Sequence, residues 1–410
     1  MCDFSHIDII GKEENCKGVI SMKIGIDKIG FYTPHMFVDM NKLAVARDVE
    51  PEKFTIGIGQ SQMAVAPVTQ DSVTLAANAA LEIIDDEDRD KIDFVIFGSE
   101  SGIDHSKSGA VYVHRLLGLN PNARAVEVKQ ACYAATAGIQ MAKGHVALNP
   151  ESKVLVLGTD IARYGLNTSG ESTQGAGAVA MVISANPRIM ELEEHNVYLT
   201  NDIMDFWRPI YSDKAFVDGK FSNEQYILFF NKVWEIYKEK SGLELKDMEA
   251  ICFHLPYTKM GLKALRTVLD EAPEDVRERL LENYQISTTY NRNVGNIYTG
   301  ALYLSLLSLL ENKELADGSR IGLFSYGSGA VGEFFTGILQ PNYREYLNID
   351  GHQNLFKSRK EVSVEEYETI FEETLPVDGS DIEFDISKDP ATIVLSGTLD
   401  NKRQYVNKYR

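Results

Sequence analysis

The chain predicts an α/β sandwich built from two related halves. Three observations carry that expectation: a set of units that recurs in order, apolar strands without strict alternation, and helical patterns between them. The patterned chain begins at Met22, and residues 1–21 read as an N-terminal extension with scattered charges and no long apolar core. The first repeated unit is an apolar strand ending in a polar residue, Asp93-Phe-Val-Ile-Phe-Gly-Ser-Glu100, echoed by Glu249-Ala-Ile-Cys-Phe-His254. The second is a short strand, a turn and a small-residue helix, RAVEVKQACYAATAGIQMA in one half and TTYNRNVGNIYTGALYLSL in the other, so that Cys132 matches Asn296. The third is a buried strand leading to a Gly-rich segment, KVLVLGTDIARYG with GAGAVAMVI, matched by RIGLFSYGSGAVGEFFTGIL, with Asp160 and Ser328 near corresponding turns. Runs at 154–157 and 321–324 suit central strands covered on both faces. Helical patterns fall at 71–84, 133–147, 260–270 and 300–311, and the aromatic spacing in EQYILFFNKVWEIY marks a core-facing helix. The division expected is an extension over 1–21, a first half over 22–190, and a second half over 191–410 carrying a C-terminal tail. The tail, from residue 359 on, has strand-like stretches IEFDI and TIVLSG and is expected to pack on the second half.

Composition narrows the function classes. With 410 residues and 44% hydrophobic content the chain can bury a large core. Its 60 acidic and 41 basic residues leave a net charge of -19, which repels polyanions and argues against nucleic acid and anionic membranes as partners. The 4 cysteines show no paired spacing or CxxC motif, which fits a reducing cytoplasm and suggests neither a disulfide framework nor a zinc site. No Walker loop or GxGxxG follows a strand, so nucleotide hydrolysis and nicotinamide chemistry are poorly supported.

The chemistry concentrates at Cys132, where a strand stops and a helix begins. A thiol there meets unpaired backbone N–H groups and the positive end of the helix dipole, which is expected to favour the thiolate. A small buried apolar cysteine is the competing reading. Packing the two halves about a pseudo-twofold would bring Cys132, Glu100, His254 and Asn296 together. A thiolate exchanges thioesters, an imidazole polarises a carbonyl, and a carboxylate among apolar groups can take a proton from carbon. Together they describe carbon–carbon bond formation on acyl-thioesters, with backbone N–H groups at Cys132 and in Gly327-Ser328-Gly329 as oxyanion donors. Lys259, Lys263 and Arg266 share one helix face, a phosphate-binding stripe or an ordinary solvated face.

The segments ACYAATAGIQ, TQGAGAVAM, FHLPYTKMG, VGNIYTGALYLSL and GLFSYGSGAVGEF resemble those of bacterial hydroxymethylglutaryl-CoA synthases of the thiolase superfamily, from about Met22 to near residue 375. The resemblance implies a five-layered αβαβα thiolase-like sandwich, a cytoplasmic homodimer, and condensation of acetyl-CoA with acetoacetyl-CoA in the mevalonate pathway, with no metal or redox cofactor. Carried over, Cys132 takes the acetyl group, Glu100 removes a proton from its methyl, and His254 orients and protonates the ketone. Asn296 and Ser328 hold the acetoacetyl group and the oxyanion, and Lys259 and Lys263 meet the CoA phosphates. Asn167, Thr173, Tyr164 and Asp218 are assigned to the acyl and pantetheine pocket.

The chain departs from the family pattern at Gln130, where a glutamate is usual, at Ser172 in place of proline, at Leu262 in place of lysine, and across Ile210-Tyr-Ser-Asp-Lys-Ala-Phe216, which lacks a histidine and a tyrosine. Other readings of the same groups are a synthase acting on carrier-protein-bound chains in polyketide β-branching, a Cys–His–Glu thioester hydrolase, and a non-catalytic acyl-CoA-binding protein.

Overall fold

Nine strands share one hydrogen-bonded sheet in the computed structural model, which describes residues 22–212 and 214–409. The 1–21 extension therefore lies outside the described residues. Across the sheet the strands run Ala250–Phe253, Arg320–Gly327, Val331–Leu339, Met190–Thr200, Ile24–Tyr32, Gly175–Ala185, Lys153–Ala162, Ile92–Gly98 and Arg124–Val128. The order is symmetric about the contact between Met190–Thr200 and Ile24–Tyr32, which join through Gly25 opposite Glu191 and Ile26 opposite Met190. Outward from that join each half places its first strand, its last antiparallel strand, and then its parallel inner strands, the arrangement the internal repeat predicts.

Five layers result. Helices Ser72–Leu81 and Gly109–Leu117 cover the outer face of the first half-sheet, and helix Gly219–Ser241 covers the second. Between the half-sheets lie helices Ala134–Leu148 and Ala301–Asn312. Thr136 on the former contacts Tyr303 Oη on the latter at 2.7 Å and donates to Ser325 Oγ on a second-half strand at 2.8 Å. Helix Ala301–Asn312 is buried on every side through Glu311, which explains its continuous apolar run. Helix Gly219–Ser241 instead buries one stripe, Tyr226, Phe229, Phe230, Val233, Trp234 and Tyr237, and stops at Gly242 in the left-handed region.

Two expectations are corrected. The second half has no counterpart of the strand Arg124–Val128: residues Thr289–Val294 form a helix, because Tyr290, Asn291 and Val294 turn one helical face inward and the Asn291 amide bonds Ala301 O. The tail also packs on the first half rather than the second. Its strands Ile382–Glu383, Ile393–Leu399 and Lys402–Asn407 dock against helix Ser72–Leu81, where Asn78 exchanges hydrogen bonds with the Ile393 backbone and Asp71 receives Arg403 and Tyr405.

A buried ion cluster holds helix Ile349–Ser358 to both halves. His352 Nδ1 lies 2.7 Å from Glu311 Oε1, and Nε2 lies 3.2 Å from Glu82 Oε2 and from Phe31 N. The neutral ring accepts from the Phe31 N–H, whereas the imidazolium donates to both carboxylates. Burial pulls the His352 pKa down, but the hydrogen bonds and charges of Glu311 and Glu82 outweigh it and raise the pKa from 6.5 to about 9. The folded state thus binds this proton more tightly than the unfolded chain. Its contribution, about 3 kcal/mol at most, is whole below the unfolded value and lost as pH rises through the folded one. His352→Gln is therefore expected to lower Tm most below about pH 6, with the gap to the unsubstituted protein narrowing as pH rises toward about 9.5. A gap that stays constant across that range would rule out the charged form.

Candidate active site

The nucleophile candidate sits where three segments are forced together. Cys132 lies in the turn Gln130–Tyr133, between the strand Arg124–Val128 and the helix that starts at Ala134. Ala131 just before it holds φ +42°, a left-handed conformation that costs a non-glycine residue energy and turns the chain sharply. The elbow is wedged between strand ends from the two halves. A Cβ on Gly98 would fall 2.8 Å from Ala135 N, and one on Gly327 would fall 2.5 Å from Gln130 O. Only glycine fits at either place.

Glu100 follows the strand Ile92–Gly98 and His254 follows the strand Ala250–Phe253, matching positions in the two halves. The Cys132 thiol donates to Glu100 Oε1 at 3.1 Å. His254 is buried, its backbone N–H bonds Phe324 O at 2.8 Å, and its carbonyl accepts from Tyr226 Oη at 2.6 Å. Its Nδ1 is buried without a hydrogen-bond partner among the described residues. Asn296 follows Gly295, whose positive φ lets the chain pass against Gln174.

A cavity of about 390 Å³ opens onto these groups, walled by Cys132, Tyr164, Thr173, His254, Lys263, Asn296 and Ser328, with Phe206 and Tyr298 adding aromatic surface. Glu100 stands behind Cys132 rather than in the wall. Three further expected residues are not in the wall. Asn167 is exposed, in the left-handed region, with its N–H on Glu171. Lys259 opens the helix Lys259–Arg266, whose Lys263 donates to Tyr257 Oη at 2.9 Å. Asp218 is exposed and caps helix Gly219–Ser241 by accepting from Phe221 N. At the start of the altered segment residues 209–212 form an outer turn, with Ile210 and Tyr211 85% and 89% exposed, while Phe206 and Val217 of the flanking short strands reach the cavity.

Electrostatics correct one expectation. The Cys132 thiol is pushed well above its ordinary range, by burial first and then by the facing Glu100 carboxyl, so the dipole of a helix that begins two residues later does not prevail. Glu100 is itself raised, by burial and by the charge of Asp160. Burial lowers His254 to about 3, which keeps its ring neutral. The proton of the thiol thus has an acceptor at hydrogen-bond distance, and the imidazole can offer a hydrogen bond but not a charge.

Sequence reasoning missed two buried carboxylates as site residues. Asp160 Oδ1 accepts from Ser99 Oγ, Glu100 N, Ser101 N and Ser101 Oγ, and its Oδ2 accepts from Thr299 N and Oγ1. Asp205 accepts from Ser222 Oγ, Tyr326 Oη and Gly329 N. The Gly329 N–H is therefore committed to Asp205 and is removed from the expected oxyanion donors. The available signal was an aspartate inside the apolar strand LVLGTDIA; Asp205, in a polar loop, gave none. Among the described residues no group of three or more His, Cys, Asp or Glu is placed to hold a metal ion, and no helix is long and apolar enough to cross a membrane.

Comparison with known proteins identifies the family. Residues 20–188 match the hydroxymethylglutaryl-coenzyme A synthase N-terminal family and residues 266–377 match its C-terminal family. A hydroxymethylglutaryl-CoA synthase of Enterococcus faecalis is 56% identical over 358 residues, covering 87% of this chain and 94% of that protein. A polyketide-biosynthesis 3-hydroxy-3-methylglutaryl-ACP synthase of Bacillus subtilis is 33% identical, over 85% of this chain and 87% of its own length. A crystal structure of an HMG-CoA synthase complexed with CoA superposes with a TM-score of 0.92 at 45% identity, covering 94% of this chain and 100% of that one. With both terminal families matched in order and more than half the aligned residues shared with one synthase, this chain belongs to the hydroxymethylglutaryl-CoA synthase family.

Proposed function

We propose that Cys132, Glu100 and His254 condense acetyl-CoA with acetoacetyl-CoA to give HMG-CoA, the mevalonate-pathway reaction of the family. The observation that carries this reading is the 3.1 Å contact from the Cys132 thiol to a buried Glu100, beside a cavity that also exposes a neutral His254. Glu100 takes the thiol proton as Cys132 Sγ attacks the acetyl carbonyl, and passes it to the departing CoA thiolate. The same carboxylate then removes a proton from the methyl of acetyl-Cys132. The resulting enolate attacks the ketone carbon of acetoacetyl-CoA while His254 polarises the ketone oxygen by a hydrogen bond, and the proton held by Glu100 satisfies the new alkoxide. Water cleaves the thioester and regenerates the thiol. Because burial holds His254 neutral, its part is a hydrogen bond rather than delivery of a proton from an imidazolium.

Asn296 and Ser328 are assigned to the acetoacetyl group, Tyr164 and Thr173 to the acyl and pantetheine wall, and Lys263 at the cavity, with Lys259 on the same helix, to CoA phosphates. Asp218 acts through the helix it caps, and Asn167 through the loop its N–H ties to Glu171. A hydrolase reading is weaker, because Nδ1 of His254 has no orienting partner among the described residues. The net charge of -19 favours free CoA thioesters over an acidic carrier protein. We place the protein in the cytoplasm, as a homodimer. The outermost strand, Arg124–Val128, supports the dimer by presenting an unpaired edge with Val126 37% exposed. Val126→Glu is expected to shift the mass measured by light scattering from dimer to monomer.

Intact-mass analysis separates loading from condensation. Glu100→Ala is expected to load the acetyl group on Cys132 more slowly, because Glu100 also takes the thiol proton, but still to reach an acetyl adduct at the endpoint and then to release at least about a hundredfold less HMG-CoA when acetoacetyl-CoA is added; Cys132→Ser should carry no acetyl thioester. Condensation by Cys132→Ser at the unsubstituted rate would end the covalent mechanism.

Asp160→Asn tests the tuning of the base. Removing that negative charge lowers the Glu100 pKa, so the acidic limb of kcat/KM should move to lower pH while kcat falls about tenfold from lost anchoring. An unmoved limb would mean that the carboxylate charge does not reach Glu100.

A further inference from the structure

The tail hairpin follows residues 266–377, which match the C-terminal synthase family, and is bound to the first half by charged and buried groups. Arg403 Nη1 and Tyr405 Oη donate to Asp71 Oδ2 at 2.8 and 2.6 Å. The other oxygen of the same carboxylate caps helix Ser72–Leu81, accepting from Val73 N and Thr74 N at 3.0 Å each. The next residue, Ser72, donates its hydroxyl to Ser101 O at 2.7 Å, one residue beyond Glu100. The hairpin therefore grips one end of a rigid helical turn whose adjacent residue grips the loop bearing the base.

We propose that the C-terminal hairpin positions Glu100 for proton removal from carbon, through Arg403 and Tyr405 on Asp71 and through Ser72 on Ser101. Asp71 is buried, and an unpaired carboxylate there would be costly, so the cap is well made only when the hairpin supplies its two donors. Asp160 holds the N–H groups of Glu100 and Ser101, Asp160 and Ile161 hold the Ser101 hydroxyl, and the Ser101 carbonyl on Ser72 is a separate point of attachment on the other side of the loop. With one point lost the loop can pivot about the other, and misplacement of a general base by about an ångström lowers turnover without altering thioester binding. Arg403, Tyr405 and Ser72 are thus positioning residues, and the inference rests on Glu100 as the carbon base.

The test compares Arg403→Gln/Tyr405→Phe, Ser72→Ala and their combination, each titrated for acetyl-Cys132 by intact mass and then assayed for HMG-CoA release. We expect full acetyl loading, unchanged KM for acetyl-CoA, a kcat about tenfold lower in both single-site tests, and a combined loss no larger than the greater of the two. Unchanged turnover per acetylated site in either variant, or losses that multiply, would overturn the relay. If the hairpin variant does not fold, Ser72→Ala, which leaves the hairpin contacts in place, decides alone. Should Glu100→Ala condense normally, the reading of the reaction fails instead, independently of the hairpin.

Discussion

One buried carboxylate organises the site. Asp160 is fully buried and its two oxygens collect donors from two places, the Ser99–Ser101 loop of the first half and Thr299 of the second. A charge so removed from water is tolerated only when its lone pairs are filled. Neither half alone supplies enough donors, so docking of the halves and placement of Glu100 are the same event. The pKa of Asp160 is raised to about 6 by burial, offset by those donors, and the charge it keeps near neutral pH is felt by Glu100.

Burial then sets the proton positions of the three reacting groups in one direction each. It raises the thiol, raises the carboxyl and lowers the imidazole, so every group is biased toward its neutral form. A site of this kind stores little charge before substrate arrives. Its reactivity depends on a proton passed over one short contact, from Cys132 to the ionised form of Glu100, and not on a standing thiolate. Carbon acids such as a thioester methyl need a base with a raised pKa, and the same raised carboxyl serves that step.

Much of this was legible in the sequence. The repeat located Glu100 and His254 at equivalent strand ends and Cys132 and Asn296 at equivalent turns before a helix, because backbone geometry delivers a residue at the end of each element regardless of side chain. The helix over Gly219–Ser241 was visible from its aromatic stripe. What stayed hidden depends on long-range packing. The Thr289–Val294 helix carries the residues of a plausible strand and is decided by Asn291 reaching Ala301. The docking side of the tail is decided by Asp71 and Asn78, more than three hundred residues away in the chain. The direction of the Cys132 shift required knowing that a carboxyl faces the thiol, which no local pattern records.

The pseudo-twofold also explains why the chemistry is complementary instead of doubled. Two equivalent strand ends meet across one cavity; identical residues there would give two acids or two bases with the same proton state. Divergence places a carboxyl at one and an imidazole at the other, and burial biases the pair toward neutrality, the first able to accept a proton from carbon in its ionised form, the second able to donate a hydrogen bond to oxygen. The same logic separates Cys132 from Asn296. One elbow carries a nucleophile behind a strained Ala131, and its counterpart carries an amide behind Gly295, whose Oδ1 is already engaged by Tyr298 N at 2.8 Å. That engagement fixes the Asn296 side chain and leaves its amide N–H groups as the part that can meet a carbonyl oxygen. A covalent centre on one side and a donor on the other are what a condensing enzyme needs when one acyl group is held and a second is presented to it.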